Sequence, residues 1–148
     1  MINRTAVLFD RVIVAVMDNA NKKTLFSAEE RAGFIKKSAA GLCNVEVCIF
    51  SGLLTNFFIK SGSDVIIRGL RNAGEFEHES QYAQAYKKAD NKIETLFVPS
   101  MPEHAFISSG MAKEAAFFGG DLHLLLPGVI IDDVNEKFFG RAVDGYNT

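Results

Sequence analysis

Apolar residues occur along this chain in short continuous runs, separated by stretches in which they recur at intervals of three and four. The runs are residues 12–17 (VIVAVM), 45–50 (VEVCIF), 65–67 (VII) and 95–98 (TLFV). Each has the length and the β-branched or aromatic bias of a buried strand. The intervening stretches read as helices. Ile2, Thr5, Ala6 and Phe9 share one face of a first helix that has no N-cap before it. Ser27-Ala28-Glu29-Glu30 forms a capping box that opens a second helix toward Ala40, with Gly41 as its stop. Residues 53–60 make a short helix ended by Gly62, and a long helix starts near Gly74 with Phe76, Tyr82 and Ala83 as buried candidates. Ser108 or Ser109 caps a further helix that runs to about Phe117 and stops at Gly119-Gly120. Residues 122–126 are apolar, residues 129–139 form a last helix, and residues 141–148 read as a frayed tail.

Strands alternating with helices over short connections specify parallel β-α-β units. The expected fold is α/β: a doubly wound parallel sheet in a single domain covering residues 1–148. No internal repeat or linker interrupts it.

Composition narrows the function. The chain has 148 residues, 48% hydrophobic and 23% charged, as in an ordinary globular domain. A net charge of -2 and a pI near 5.9 give no case for a nucleic-acid surface or an anionic membrane. The apolar runs are too short to span a bilayer, and residues 1–4 lead into no signal-peptide core. The expected location is the cytoplasm. Cys43 and Cys48 match neither a disulfide framework nor a zinc pattern, and Cys48 is expected to be a small core residue. His78, His104 and His123 are scattered without metal-ligand spacing.

Ligands of open α/β sheets sit beyond the carboxyl ends of the strands. The segments after the four strands carry Lys22 and Lys23, then Ser51-Gly52, then Arg68, Gly69 and Arg71, then residues 99–109 ending at a serine-capped helix start. Singly, these are ordinary loop charges and caps. Together they predict a cationic cleft suited to polyphosphate, because guanidinium forks and free helix amides both match phosphate oxygens. Neither of the standard glycine-rich phosphate loops is present.

The segment from Ile67 to Glu79, I-R-G-L-R-N-A-G-E-F-E-H-E, resembles the I-R-G-L-R-x-x-x-D-F-E-Y-E signature of bacterial phosphopantetheine adenylyltransferases. S-A-E-E-R at 27–31, F-I-S-S-G-M-A-K-E at 106–114 and G-D-L-H-L-L-L-P at 120–127 resemble further motifs of that family, in the same order. The resemblance implies a Rossmann-like nucleotidyltransferase fold, assembled as a homohexamer. It implies transfer of the adenylyl group of ATP to phosphopantetheine with Mg2+, giving dephospho-coenzyme A and pyrophosphate. By matching position, Lys22, Leu54 and Arg68 would bind phosphopantetheine. Gly69, Leu70, Arg71, Glu79 and the segment His104, Ala105, Phe106, Ile107, Ser108, Ser109 and Gly110 would bind ATP. Lys22, Arg71 and Ser109 would carry the catalysis.

The resemblance begins in the middle of that family's first helix. It therefore implies a chain that is incomplete at its N-terminus, without the family's first strand and its G-x-F-D-P-x-T-x-G-H turn, and with neighbouring strand edges unpaired. Two alternatives are another nucleotidyltransferase of the same superfamily and a non-catalytic nucleotide-binding fragment or paralogue. Substrate profiling separates the first from the leading reading; nucleotide binding without pyrophosphate release marks the second.

Overall fold

The polar breaks between the apolar runs become the ends of regular elements in the computed structural model, which describes residues 1–18 and 24–140. In chain order these are α1 (Ile2–Leu8), β1 (Val12–Asp18), α2 (Ala28–Ser38), β2 (Val45–Ser51), α3 (Leu54–Ser61) and β3 (Ile66–Leu70). They continue with α4 (Ala73–Ala89), β4 (Thr95–Pro99), α5 (Ser109–Phe117) and α6 (Ile131–Phe139), with 3-10 turns at Pro102–His104 and Gly128–Ile130. Lys22, Lys23 and the expected frayed tail lie outside the described residues.

The punctuation works as its chemistry predicts. Ser27 accepts from the Glu30 amide at 3.2 Å and Glu30 accepts from the Ser27 amide at 2.6 Å, closing the capping box of α2. Gly62 ends α3 in the left-handed region, at φ 62°. No side chain caps α1 at Met1. Its other end is held instead, by the Asn44 amide donating to the carbonyls of Ala6 and Phe9 at 2.8 Å each.

β1 and β2 pair in parallel, Val12 opposite Val45 through Asp18 opposite Ser51. β3 and β4 pair in parallel, Ile66 opposite Thr95 through Leu70 opposite Pro99. Parallel strands alternating with helices are the fold class expected. Among the described residues the two pairs are separate two-stranded sheets, so each strand has one strand neighbour.

Packing is correspondingly divided. Val16 of β1 meets Ala28 and Ala32 of α2. Phe58, Ile66 and Ile93 form a second cluster, with Leu54 and Tyr86 against it. Ala116, Leu122, Ile131 and Val134 tie α5 to α6.

Three sequence expectations about burial change. β1 is not buried on both faces: Val16 is buried, but Ala15 and Met17 point the other way and are exposed. Helix α4 buries no residue completely; Phe76 is 51% and Tyr82 46% exposed, and Ala83 is half-buried. Its rings pack along the surface instead, Phe76 edge-on to Phe97 and Tyr82 between His78 and Tyr86. Cys48 is half-buried rather than core, its thiol 3.3 Å from Glu46 Oε1. Among the described residues, no helix is long and apolar enough to cross a membrane.

Candidate functional site

Strand β3 continues past the apolar run to Leu70, which places Arg68 and Gly69 inside the strand, opposite Phe97 and Val98. The sequence reading ended the strand at Ile67. A strand tolerates Arg68 here because its side chain finds a partner on the covering helix. Alternation sends Arg68 and Gly69 to opposite faces of the ribbon. Arg68 turns to α4, donating from Nε to Glu79 Oε2 at 2.7 Å and from Nη2 to Glu79 Oε1 at 2.6 Å. Gly69 turns to α1, where an added Cβ would lie 2.4 Å from Met1 Sδ. A side chain at position 69 would make the flexible Met1 side chain move aside. On the β3–β4 ribbon α4 thus covers the Arg68 face, while on the other face Leu96 stays 48% exposed.

Arg71 follows directly after the strand. Its Nε donates to Glu75 Oε1 at 2.8 Å, its Nη2 pairs with the same oxygen, and its backbone N–H donates to Glu75 Oε2 at 2.8 Å. Its Nη1 donates to the Ile107 carbonyl at 2.5 Å. Asn72 caps α4, accepting from the Glu75 amide at 2.9 Å. One arginine therefore ties the β3–α4 turn to the segment that leads into α5.

These contacts alter the expected electrostatics. Glu75 and Glu79 lie one turn apart on α4, and each matches one of the two arginines. The hydrogen bond from Arg71 holds the Glu75 carboxyl below its usual pKa, and donating to Glu79 and Glu75 raises Arg68 and Arg71 above theirs. The edge predicted as plainly cationic is locally neutralised at both arginines. What it keeps is directed N–H donors.

The Arg68–Glu79 pair is the more enclosed, with side chains 39% and 17% exposed. Glu79→Ala is expected to destabilise the fold by roughly 2 kcal/mol, because it strands a half-buried guanidinium. Urea unfolding of the variant against the wild type checks this. An unchanged midpoint would show that solvent replaces the carboxylate fully.

At the carboxyl ends of β3 and β4 lies a cleft of about 240 Å³. Gly69, Leu70, Arg71 and His104 line it, together with Met1, Arg4 and Met101. Four residues assigned to ATP by resemblance therefore converge on one cavity. Ile107 joins them through its carbonyl bond to Arg71. Ser108, not Ser109, caps α5, accepting from the Met111 amide at 3.1 Å. Ser109 and Gly110 are the first residues of the helix, and Ala105 and Phe106 lie between the 3-10 turn and the cap. Arg68 and Glu79 stand outside the lining, on the α4 face. Leu54 packs against the cluster of Phe58, Ile66 and Ile93. Lys22 lies outside the described residues.

Arg4 carried no signal in the sequence. It reaches the cleft from α1 and donates from Nη1 to the Pro99 carbonyl at 2.6 Å, fastening α1 to the end of β4. The Arg71–Glu75 pair did carry one, the i, i+4 spacing of opposite charges. His78 meets Tyr82 edge-on and His123 bonds Asp121 at 2.7 Å, both away from the cleft. Among the described residues, no three His, Cys, Asp or Glu side chains converge to hold a metal ion.

Comparison with known proteins bears on what such a cleft does. The cytidylyltransferase-like family model matches residues 1–115. A phosphopantetheine adenylyltransferase of Clostridium perfringens (strain ATCC 13124) is 44% identical over 145 residues, spanning 98% of this chain and 88% of the relative. That of Heliobacterium modesticaldum is 42% identical over 145 residues, spanning 98% and 86%. That of Clostridium tetani is 42% identical over 137 residues, spanning 93% and 86%.

Proposed function

This chain belongs to the phosphopantetheine adenylyltransferase family of nucleotidyltransferases, and from that premise we propose that it transfers the adenylyl group of ATP to phosphopantetheine in coenzyme A biosynthesis. The products are dephospho-coenzyme A and pyrophosphate. The observation that carries the reading from family to chemistry is the convergence of Gly69, Leu70, Arg71 and His104 on one cleft at the strand ends, with the α5 approach fastened to Arg71.

The reaction is an in-line displacement. A phosphate oxygen of phosphopantetheine attacks the α-phosphorus of ATP, the new P–O bond forms, and the bond to the β-phosphate oxygen breaks. The electron pair leaves with pyrophosphate. No covalent enzyme intermediate is needed. The protein's share is positioning and charge stabilisation. Arg71 would hold the polyphosphate through fixed N–H donors, and Ser109 would sit at the amide-rich start of α5 near it. Lys22 would orient the phosphate of phosphopantetheine, with Leu54 and Arg68 along the pantetheine arm. Glu79 and the segment 104–110 would complete the nucleotide side.

Magnesium is part of the proposal as a partner of ATP. The described residues offer no carboxylate cage, so the phosphates and water would carry the ion, as is usual for Mg2+. It would supply charge neutralisation on the phosphates. A homohexamer and a cytoplasmic location complete the reading. Supporting an assembly, large apolar side chains stand exposed at several places along the chain, among them Val7, Leu53, Phe118 and Leu124.

The test is pyrophosphate release from ATP by the purified chain with phosphopantetheine and magnesium. Release dependent on phosphopantetheine, and absent with nicotinamide mononucleotide or an alcohol phosphate, is the expected result. ATP binding without release, from folded protein, would favour the non-catalytic nucleotide-binding alternative.

A further inference from the structure

The Arg71 guanidinium has five N–H donors. Nε–H and one N–H of Nη2 go to Glu75 Oε1, and one N–H of Nη1 goes to the Ile107 carbonyl. Among the described residues one N–H on each terminal nitrogen has no partner, on a residue that lines the cleft. Each can donate to a phosphate oxygen. Glu75 grips the same residue a second time, its Oε2 accepting from the Arg71 backbone N–H. The Glu75 backbone is held in turn, because Asn72 accepts from its N–H at the start of α4.

We propose that Glu75 is a positioning residue for phosphate recognition: it clamps Arg71 at its backbone and at the inner edge of its guanidinium, and so presents the remaining N–H pair to the polyphosphate. Glu75 touches no phosphate itself. It acts by removing alternatives. A free arginine side chain loses rotamer freedom when it binds, and a clamped one has lost it already. The Ile107 carbonyl is the second stop, so the clamp also fixes the approach to α5. The proposal rests on the adenylyl-transfer reading only for the identity of the anion.

The test is calorimetric titration of ATP into the full chain and into Glu75→Ala, Glu75→Gln, Arg71→Ala and the Glu75→Ala/Arg71→Ala double variant. Glu75→Ala is expected to weaken ATP roughly tenfold, the scale of one charge-assisted hydrogen bond. Glu75→Gln should weaken it less, since its one carbonyl oxygen still accepts from the guanidinium. The double variant should bind no more weakly than Arg71→Ala alone, because Glu75 works through Arg71. A purely structural role would instead give losses that add.

Unchanged or tighter ATP binding by Glu75→Ala overturns the proposal, the tighter case meaning that the carboxylate competes with phosphate. Additive losses overturn it as well. If Glu75→Ala does not fold, Glu75→Gln decides, and wild-type affinity there overturns it. A wild-type chain that binds no ATP would sink the adenylyl-transfer reading and this inference together; wild-type binding with an indifferent Glu75→Ala would sink only this one.

Discussion

Arg71→Ala should slow phosphopantetheine-dependent pyrophosphate release by roughly 10²- to 10³-fold, the usual cost of deleting one preorganised donor to developing charge. The fold should survive, because the Arg71 side chain is 39% exposed and its partners can turn to water. Matching urea midpoints for variant and wild type would show that the loss is chemical. Arg71→Lys should recover only part of the rate. An ammonium keeps the charge but cannot bond Glu75, the Ile107 carbonyl and two phosphate oxygens from one plane. A rate indifferent to Arg71→Ala would remove this residue from the mechanism, and would leave the cleft without its main anion donor.

Leu122→Ala is expected to cost about 2–5 kcal/mol of stability, the range for deleting a fully buried leucine. Leu122 is 2% exposed and packs with Ala116, Ile131 and Val134 where α5 meets α6. The residues around it are anchored by α5, α6 and the 3-10 turn Gly128–Ile130, so little can collapse into the space. Its carbonyl also accepts from the amides of Leu125 and Leu126 at 2.9 Å each, which fixes the turn before Pro127. A loss of this size is a large part of the 5–15 kcal/mol typical of a domain. Chemical denaturation measures it directly. A cost below about 1 kcal/mol would mean that the α5–α6 unit contributes little to global stability and unfolds separately.

The two substitutions probe different parts of one arrangement. Leu122 supports the body of α5 from behind, and Arg71 holds the segment entering α5 from the front through Ile107. A site made of separate strand ends depends on such connections, since each loop could otherwise move independently. Arg4, bonded to Pro99, does the same for α1 and β4. The cleft is held as much by these three fastenings as by the strands that lead to it.

Much of this was legible in the order of residues. Continuous apolar runs gave the four strands, and capping chemistry gave the helix ends, down to the reciprocal Ser27–Glu30 pair and the left-handed Gly62. These are local properties: a cap needs only the three or four residues beside it. The signature around Ile67–Glu79 located the candidate site and its family. Glu75 and Arg71 could also have been paired from spacing, being four apart at a helix start.

What tertiary structure decided depends on residues far apart in sequence. Whether Phe76 or Tyr82 is buried cannot be read from helical spacing, because it depends on what the ribbon offers α4, and the ribbon offers Arg68 as well as apolar side chains. That the arginines meet glutamates rather than open solvent follows from the strand running to Leu70 and from α4 lying across it. That the Met1 side chain lies against Gly69 likewise depends on residues far apart along the chain. The sequence by itself determined the elements, their parallel α/β order and the family. Only the folded chain decided which face each element shows and which charge meets which. Secondary structure is set by neighbours along the chain, whereas burial and pairing are set by neighbours in space.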